Sequence, residues 1–196
     1  MKHIWIRAEE RPFERRVGIS PEGASELLQK GFSVTIEKSD SRIIPLEAYL
    51  KVGCLSAEAG SWVDAPKECI IFGLKELASE PELCHRHIMF GHCYKDQPDR
   101  KNILNRFKKG GGMLYDLEYL VNNQNKRIAA FGYWAGFAGA AVGLKIWLAQ
   151  KSKLKVEHLV IDDVASKDLL CYNLKKQLNK LIISGVDSPL VMVMGA

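Results

Sequence analysis

The chain has 196 residues, 47% of them hydrophobic and 26% charged, and its 28 basic and 23 acidic residues give a net charge of +5. This is the composition of an ordinary globular protein, long enough for one full domain and part of a second. It excludes a membrane-spanning helix, because no apolar run approaches the roughly 20 residues one needs. The run 128–148 is interrupted by four glycines and Lys145. The small positive charge does not argue for nucleic acid: Lys151-Ser-Lys-Leu-Lys155 reads as a solvated connector, and no zinc, RNA-stacking or helix-turn-helix motif accompanies it. Met1-Lys-His-Ile-Trp-Ile-Arg7 is a charged, strand-like start rather than a signal peptide. Five scattered cysteines without a CxxC pair predict reduced thiols and a cytoplasmic location.

In chain order, His3 to Arg7 reads as a strand, and Ser20-Pro21 opens a helix that carries Leu27 and Leu28 and closes at Gly31. Phe32 to Glu37 alternates, with Phe32, Val34 and Ile36 on one face of a second strand. Pro45 to Val52 is a short helix. Two apolar runs of strand length follow, about 69–75 and 87–92. Asp99 to Lys109 is an amphipathic helix stopped by Gly110-Gly-Gly112. Met113 to Leu120 and Arg127 to Phe131 read as strands, and a glycine- and alanine-rich helix covers roughly 133–150. Beyond a polar stretch at 151–164, Lys167 to Leu181 has leucines at helical spacing, and Pro189 to Met194 is an apolar strand ending in Gly195-Ala196. Short apolar strands alternating with helices imply βαβ units and a parallel sheet. The expected fold is therefore α/β. A Rossmann-like N-terminal catalytic domain occupies 1–131, a connecting helix 132–150, and the first elements of a truncated dinucleotide-binding domain 151–196.

Chemistry concentrates where the two central runs end. Cys69-Ile-Ile-Phe-Gly-Leu-Lys75-Glu76 closes on a lysine, and Ile88-Met-Phe-Gly-His92-Cys93-Tyr94-Lys95 on a histidine. Ligands of open α/β sheets collect at the carboxyl ends of strands, so Lys75 and His92 form a candidate acid–base pair, with Glu76 and Lys95 placed to tune it. Spacing alone is equally consistent with a lysine leaving the core for solvent and a satisfied core histidine. Arginines between the first strand and first helix could take carboxylates in two-point contacts. Asp116 and Glu118, two apart in an expected strand, would share one face. The glycines at 132, 136, 139 and 143 have the wrong spacing for G-x-G-x-x-G and read as a packing stripe. Only Gly195 answers to a dinucleotide fingerprint, which is incomplete.

Several segments together resemble a known family. Arg7-Ala-Glu9 and Glu14-x-Arg16-Val-Gly-Ile-Ser-Pro21 are similar to the opening of the alanine dehydrogenase and transhydrogenase superfamily. Five further segments resemble NAD-dependent, L-lysine-forming saccharopine dehydrogenase. They are Ala59-Gly-Ser-Trp62, Ile71-Phe-Gly-Leu-Lys75-Glu76, Phe90-Gly-His92-Cys-Tyr-Lys95-Asp96-Gln97, Leu114-Tyr-Asp-Leu-Glu118 and Ala130-Phe-Gly-Tyr-Trp-Ala-Gly-Phe-Ala-Gly-Ala140.

The resemblance implies an oxidoreductase of lysine biosynthesis that cleaves saccharopine to L-lysine and 2-oxoglutarate with NAD. It implies that Lys75 takes the proton from the secondary amine and that His92 is the acid–base for water addition and carbinolamine collapse. It further implies that Arg16 and Arg127 bind substrate carboxylates with Lys95 nearby, and that Glu76 and Glu118 tune the pair. Because the family's glycine loop would follow Ala196, the expectation is a substrate-side fragment, inactive alone, with most of the NAD site missing and Gly195 its only cofactor-site residue. Its partner is a small molecule, with neither nucleic acid nor membrane; self-association or another chain would supply the rest. Two alternatives stand beside it: a non-catalytic remnant that binds a dicarboxylate, and an alanine dehydrogenase-like enzyme.

Overall fold

The computed structural model describes residues 2–77, 81–94, 100–130 and 132–192, except 156, 158, 162, 163 and 165. It divides into two compact units, Met1–Ala130 and Phe131–Ala196.

The first unit is a six-stranded sheet, all parallel, in the order β3-β2-β1-β4-β5-β6. The strands are β1 (His3–Ile6), β2 (Ser33–Glu37), β3 (Leu55–Ala57), β4 (Ile70–Phe72), β5 (Arg86–Met89) and β6 (Met113–Asp116). Three helices connect them: α1 (Pro21–Gln29), α2 (Leu46–Lys51) and α3 (Arg100–Gly110). Helix α1 starts where the sequence says it should: the Ser20 hydroxyl accepts the Gly23 N–H at 3.2 Å and Pro21 fills the first turn. The chain lays down β1, β2 and β3 in one direction, then returns to β1 and builds β4, β5 and β6 in the other. The reversal puts a topological switch between β1 and β4, the place at which open α/β sheets bind their ligands.

Two apolar clusters cover the sheet. Ile4, Ile6, Val34 and Ile36 pack with Ala24 of α1 and Tyr49 of α2. Ile71, Met89 and Leu83 pack with Trp62 and with Ile103 and Phe107 of α3. Strand periodicity divides the labour: in β4, Ile71 serves the second cluster and its neighbour Phe72 the first.

The alternation read in β2 holds for Val34 and Ile36, but the other face of this strand is buried as well, because both faces of the sheet are covered. Thr35 is buried there, its hydroxyl 2.8 Å from His3 Nε2. Glu37 is fully buried and accepts four hydrogen bonds. Oε1 takes Trp5 Nε1–H (3.0 Å) and Trp62 N–H (2.7 Å); Oε2 takes Ala8 N–H (2.8 Å) and Gly60 N–H (2.9 Å). Gly60 accepts this role in a left-handed conformation, φ +77°, just before the 3₁₀ turn Ser61–Asp64.

Two expected elements differ, and one strand was not expected. The strand expected over 113–120 ends at Asp116, whose side chain accepts the Glu118 N–H and starts a 3₁₀ turn, Leu117–Tyr119; Asp116 and Glu118 therefore do not share a strand face. The strand expected at 127–131 is a single antiparallel bridge between Val121 and Arg127. Asn122 explains it: its Oδ1 accepts the N–H groups of Gln124 and Lys126, folding the asparagine-rich run into a turn before a ladder can form. Strand β3 was not visible as periodicity; it is only three residues long.

In the second unit, α4 (Gly132–Lys151) packs on α5 (Lys167–Ile183) through Ala141, Leu144 and Leu148 against Leu170, Leu174 and Leu178. The packing stripe expected at Gly132, Gly136, Gly139 and Gly143 is not the face used: among the described residues nothing lies within 4 Å of a Cβ placed on any of them. The α5 leucines engage larger side chains, whose burial contributes more than close backbone approach. The apolar run expected as a strand from Pro189 pairs with no strand among the described residues, and Leu190, Val191 and Met192 are exposed.

Two stability predictions follow from buried polar groups. His87 lies among Trp62, His85 and Phe107 with neither ring nitrogen bonded among the described residues. Burial, assisted by His85, Arg7 and Arg106, pushes its pKa down to about 3. The unfolded chain takes up a proton near pH 6.5 that the folded chain refuses until about 3, so stability falls as pH drops through that window, by about 2 kcal/mol at pH 5. Urea unfolding of His87→Leu should show a shallower loss between pH 7 and pH 5 than the wild type; equal losses would remove His87 as the cause. Glu37→Gln points an amide N–H₂ at two backbone donors and should lower unfolding free energy by about 2–4 kcal/mol at pH 7 in the same assay.

Candidate functional site

The switch crevice is built from the loops that leave β1 and β4. Arg7 extends the β1 ladder by donating its N–H to Phe72 O (3.0 Å), then turns its side chain under the β4 exit. Its guanidinium donates to Lys75 O and to Ala8 O (3.1 Å), and lies 3.5 Å from Glu9. Glu9 in turn accepts the N–H groups of Leu74 (2.6 Å) and Lys75 (3.0 Å). The backbone of Lys75 is thus held at both its N–H and its C=O by the β1 loop. The approach needs Gly73, because a Cβ there would stand inside the contact radius of the Arg7 guanidinium.

The Lys75 ammonium helps to keep the Glu14 carboxyl ionised. The main cause is Arg16, which donates its Nε–H to Glu14 Oε1 (2.7 Å), its Nη2–H to Oε2 (2.5 Å) and its backbone N–H to Oε1 (3.0 Å). These bonds hold Glu14 below the ordinary carboxylate range and Arg16 above its own. Glu76, next to Lys75, receives Arg11 Nη1–H at 3.2 Å.

His92 stands beyond β5, the neighbour of β4. It holds a left-handed backbone, φ +51°, which is uncommon for a residue with a Cβ. Its ring stacks on Phe90, with centroids 6.4 Å apart and planes inclined by 21°. His92 Nδ1 lies 3.5 Å from Glu118 Oε2, and Glu118 Oε1 lies 3.5 Å from Arg127 Nη1. Glu118 is largely buried, whereas His92 and Arg127 reach solvent, so the acid sits behind the two groups a ligand would meet. Phe90 N–H donates to Leu74 O (3.1 Å), which ties the two strand exits together.

Six of the residues singled out in the sequence therefore fall into three local sets. Lys75 adjoins the Glu14–Arg16 pair, Glu76 pairs with Arg11, and His92 meets Glu118 and Arg127. Lys95 and Gly195 lie outside the described residues. Sequence reasoning gave no role to Glu9, Glu14 or Glu37, which hold the crevice walls. A glutamate directly after a buried strand, as Glu37 is at the end of β2, was the available signal. Among the described residues no group of three or more His, Cys, Asp or Glu is placed to hold a metal, no helix is long and apolar enough to cross a membrane, and the five cysteines are free thiols.

Residues 5–138 match the model of the alanine dehydrogenase/PNT N-terminal domain. The chain belongs to this family. Saccharopine dehydrogenase [NAD(+), L-lysine-forming] of Yarrowia lipolytica is 43% identical over 195 residues, covering 98% of this chain and 53% of that protein. The protein of the same name in Candida albicans is 48% identical over 146 residues, 74% of this chain and 38% of its own. The chain spans about half the length of the curated relatives it matches along its length. Among solved structures, an L-alanine dehydrogenase superposes with a TM-score of 0.61 at 15% identity, covering 76% of this chain and 42% of that one, and supports the α/β fold.

Gly73→Ala should displace the Arg7 guanidinium and loosen the Lys75 backbone, with a stability loss of about 1–3 kcal/mol in denaturant unfolding. An unchanged midpoint would show that Arg7 can move aside freely.

Proposed function

We propose that this chain is the substrate-side part of an NAD-dependent, L-lysine-forming saccharopine dehydrogenase. The observation that carries the reading is the placement of Lys75 and His92 at the exits of adjacent parallel strands beside the topological switch, each next to an arginine–glutamate pair. The names of the relatives supply the substrate class.

In this reading Lys75 takes the proton from the secondary amine of saccharopine. Its backbone is clamped by Arg7 and Glu9, so the side-chain amine, which must be neutral to accept that proton, swings from a fixed root. Once the amine has also lost hydride and become an imine, His92 serves as acid–base for water addition and carbinolamine collapse, moving the proton at Nε2 while Glu118, against Nδ1, stabilises the imidazolium. Arg16 and Arg127 take substrate carboxylates; each already faces one protein carboxylate, which orients its planar fork. Glu76, paired with Arg11, and Glu118 set the charge around the two acid–base groups, and Lys95, three residues after His92 in sequence, is a further basic residue of this reading. The free cysteines support a reducing, cytoplasmic setting.

NAD, named in the relatives, is the hydride acceptor of this reading, and Gly195 would belong to its loop. A dinucleotide site needs glycines gathered in a loop before a helix. Among the described residues Gly136, Gly139 and Gly143 are instead spaced along α4, so none of them fits that cradle and no step is assigned through it.

The test joins residues 1–196 to the remaining half of the Yarrowia lipolytica relative and follows NADH oxidation with L-lysine and 2-oxoglutarate. Lys75→Met and His92→Gln should each lower kcat/KM by roughly 10²–10⁴-fold. Undiminished turnover in both variants would refute the assignment.

A further inference from the structure

The His92–Glu118 contact joins two segments that are separate in sequence, and neither is held by regular structure at the point of contact. His92 follows the last residue of β5 by three positions and has a left-handed backbone. A non-glycine residue persists there only where its surroundings over-determine it. Glu118 lies in a one-turn 3₁₀ segment after β6.

One atom touches both. Asp116 Oδ1 accepts the backbone N–H of Gly91 at 3.3 Å and the backbone N–H of Glu118 at 3.0 Å. Gly91 immediately precedes His92, so this oxygen fixes the peptide from which the left-handed turn departs. The same oxygen ends β6 and starts the turn that carries Glu118. The second oxygen, Oδ2, is buried with no hydrogen-bond partner among the described residues. An unsatisfied buried carboxylate oxygen is costly, and its retention is unexplained by stability alone. Two further contacts bear on the His92 turn: Cys93 Sγ–H donates to Gly91 O at 3.2 Å, and Phe90 stacks on the imidazole. Both belong to the same loop, and neither reaches Glu118. Tyr94 also meets Tyr119 across the two segments, edge to face with ring centroids 5.6 Å apart; Asp116 is the residue that hydrogen-bonds the backbones of both.

We infer that Asp116 is a positioning residue: its Oδ1, by holding the Gly91 and Glu118 backbones together, sets the His92 imidazole against the Glu118 carboxylate. The inference rests on the reading of His92 as the acid–base group, but it concerns geometry and is tested without turnover. Asparagine preserves an Oδ1 acceptor, whereas alanine removes it. The acceptor, rather than the negative charge, is the feature that matters.

The experiment uses the 196-residue chain with ¹⁵N-labelled histidine and reads the His92 ring resonances by NMR at constant pH, with Glu118→Gln as the probe of contact. In the otherwise wild-type chain Glu118→Gln should shift the His92 ring signals, since Nδ1 lies 3.5 Å from Glu118 Oε2. In Asp116→Ala the same substitution should leave them unmoved, a loss of the response, while the other histidines keep their wild-type shifts. In Asp116→Asn the response should return. A folded Asp116→Ala variant that keeps the response overturns the inference, because Cys93, Phe90 and the Tyr94–Tyr119 contact would then suffice. Should circular dichroism show Asp116→Ala unfolded, Asp116→Asn decides alone: loss of the response in a folded asparagine variant assigns the effect to charge and overturns the inference. An inactive chimaera with this coupling intact would count against the proposed reaction and leave the positioning role standing.

Discussion

The carboxylate of Glu37 is the constraint on which the N-terminal unit depends. It is fully buried, and its two oxygens accept four N–H groups from four places: the Trp5 indole in β1, the Ala8 backbone after β1, and the backbones of Gly60 and Trp62 after β3. A buried charge is tolerable only when its hydrogen-bonding capacity is filled. Here the donors come from segments far apart in the chain, so satisfying Glu37 also fixes their relative positions. The link to the crevice runs through Ala8. Once its N–H is held, Arg7 on one side and Glu9 on the other are both directed toward β4, where they bracket Lys75.

This arrangement shows how an open parallel sheet holds the backbone of a residue at a strand exit. The β1 ladder continues by one residue into Arg7, and Gly73 removes the side chain that would have blocked it. Two acids with similar surroundings then do different work. Glu9 satisfies backbone donors and is consumed by architecture, whereas Glu14 faces Arg16, which reaches solvent. On the β5 side the pattern repeats with different parts: Asp116 binds backbone, and Glu118 faces His92 and Arg127.

Much of this was legible from residue order. Short apolar runs between helices gave the parallel sheet, the Ser20-Pro21 cap gave the start of α1, and the ionisable residues closing two runs pointed to Lys75 and His92. What periodicity could not reveal was where ladders stop. Asp116 ends β6 through its own side chain, and Asn122 folds the next run into a turn, so Glu118 and Arg127 meet across a loop rather than along strands. The role of Glu37 was hidden for a different reason: it occupies the polar-looking face of β2, and that face is interior because the sheet is covered on both sides. The glycine stripe of α4 is not the face that meets α5; larger side chains on the same helix do that.

The sheet order has a kinetic consequence. The central pairing joins β1 to β4, aligning Ile4 with Ile70 and Ile6 with Phe72, while β1, β2 and β3 pair through shorter connections. Closing the longer loop carries a larger entropic cost, and parallel, non-local pairings of this kind slow folding. Until β4 docks, β1 presents an open edge in what becomes the middle of the sheet, and the Arg7–Glu9 clamp has nothing to hold. The crevice therefore belongs to the late, all-or-none part of assembly. Partly folded chains would expose a template for strand addition at the centre of the future sheet.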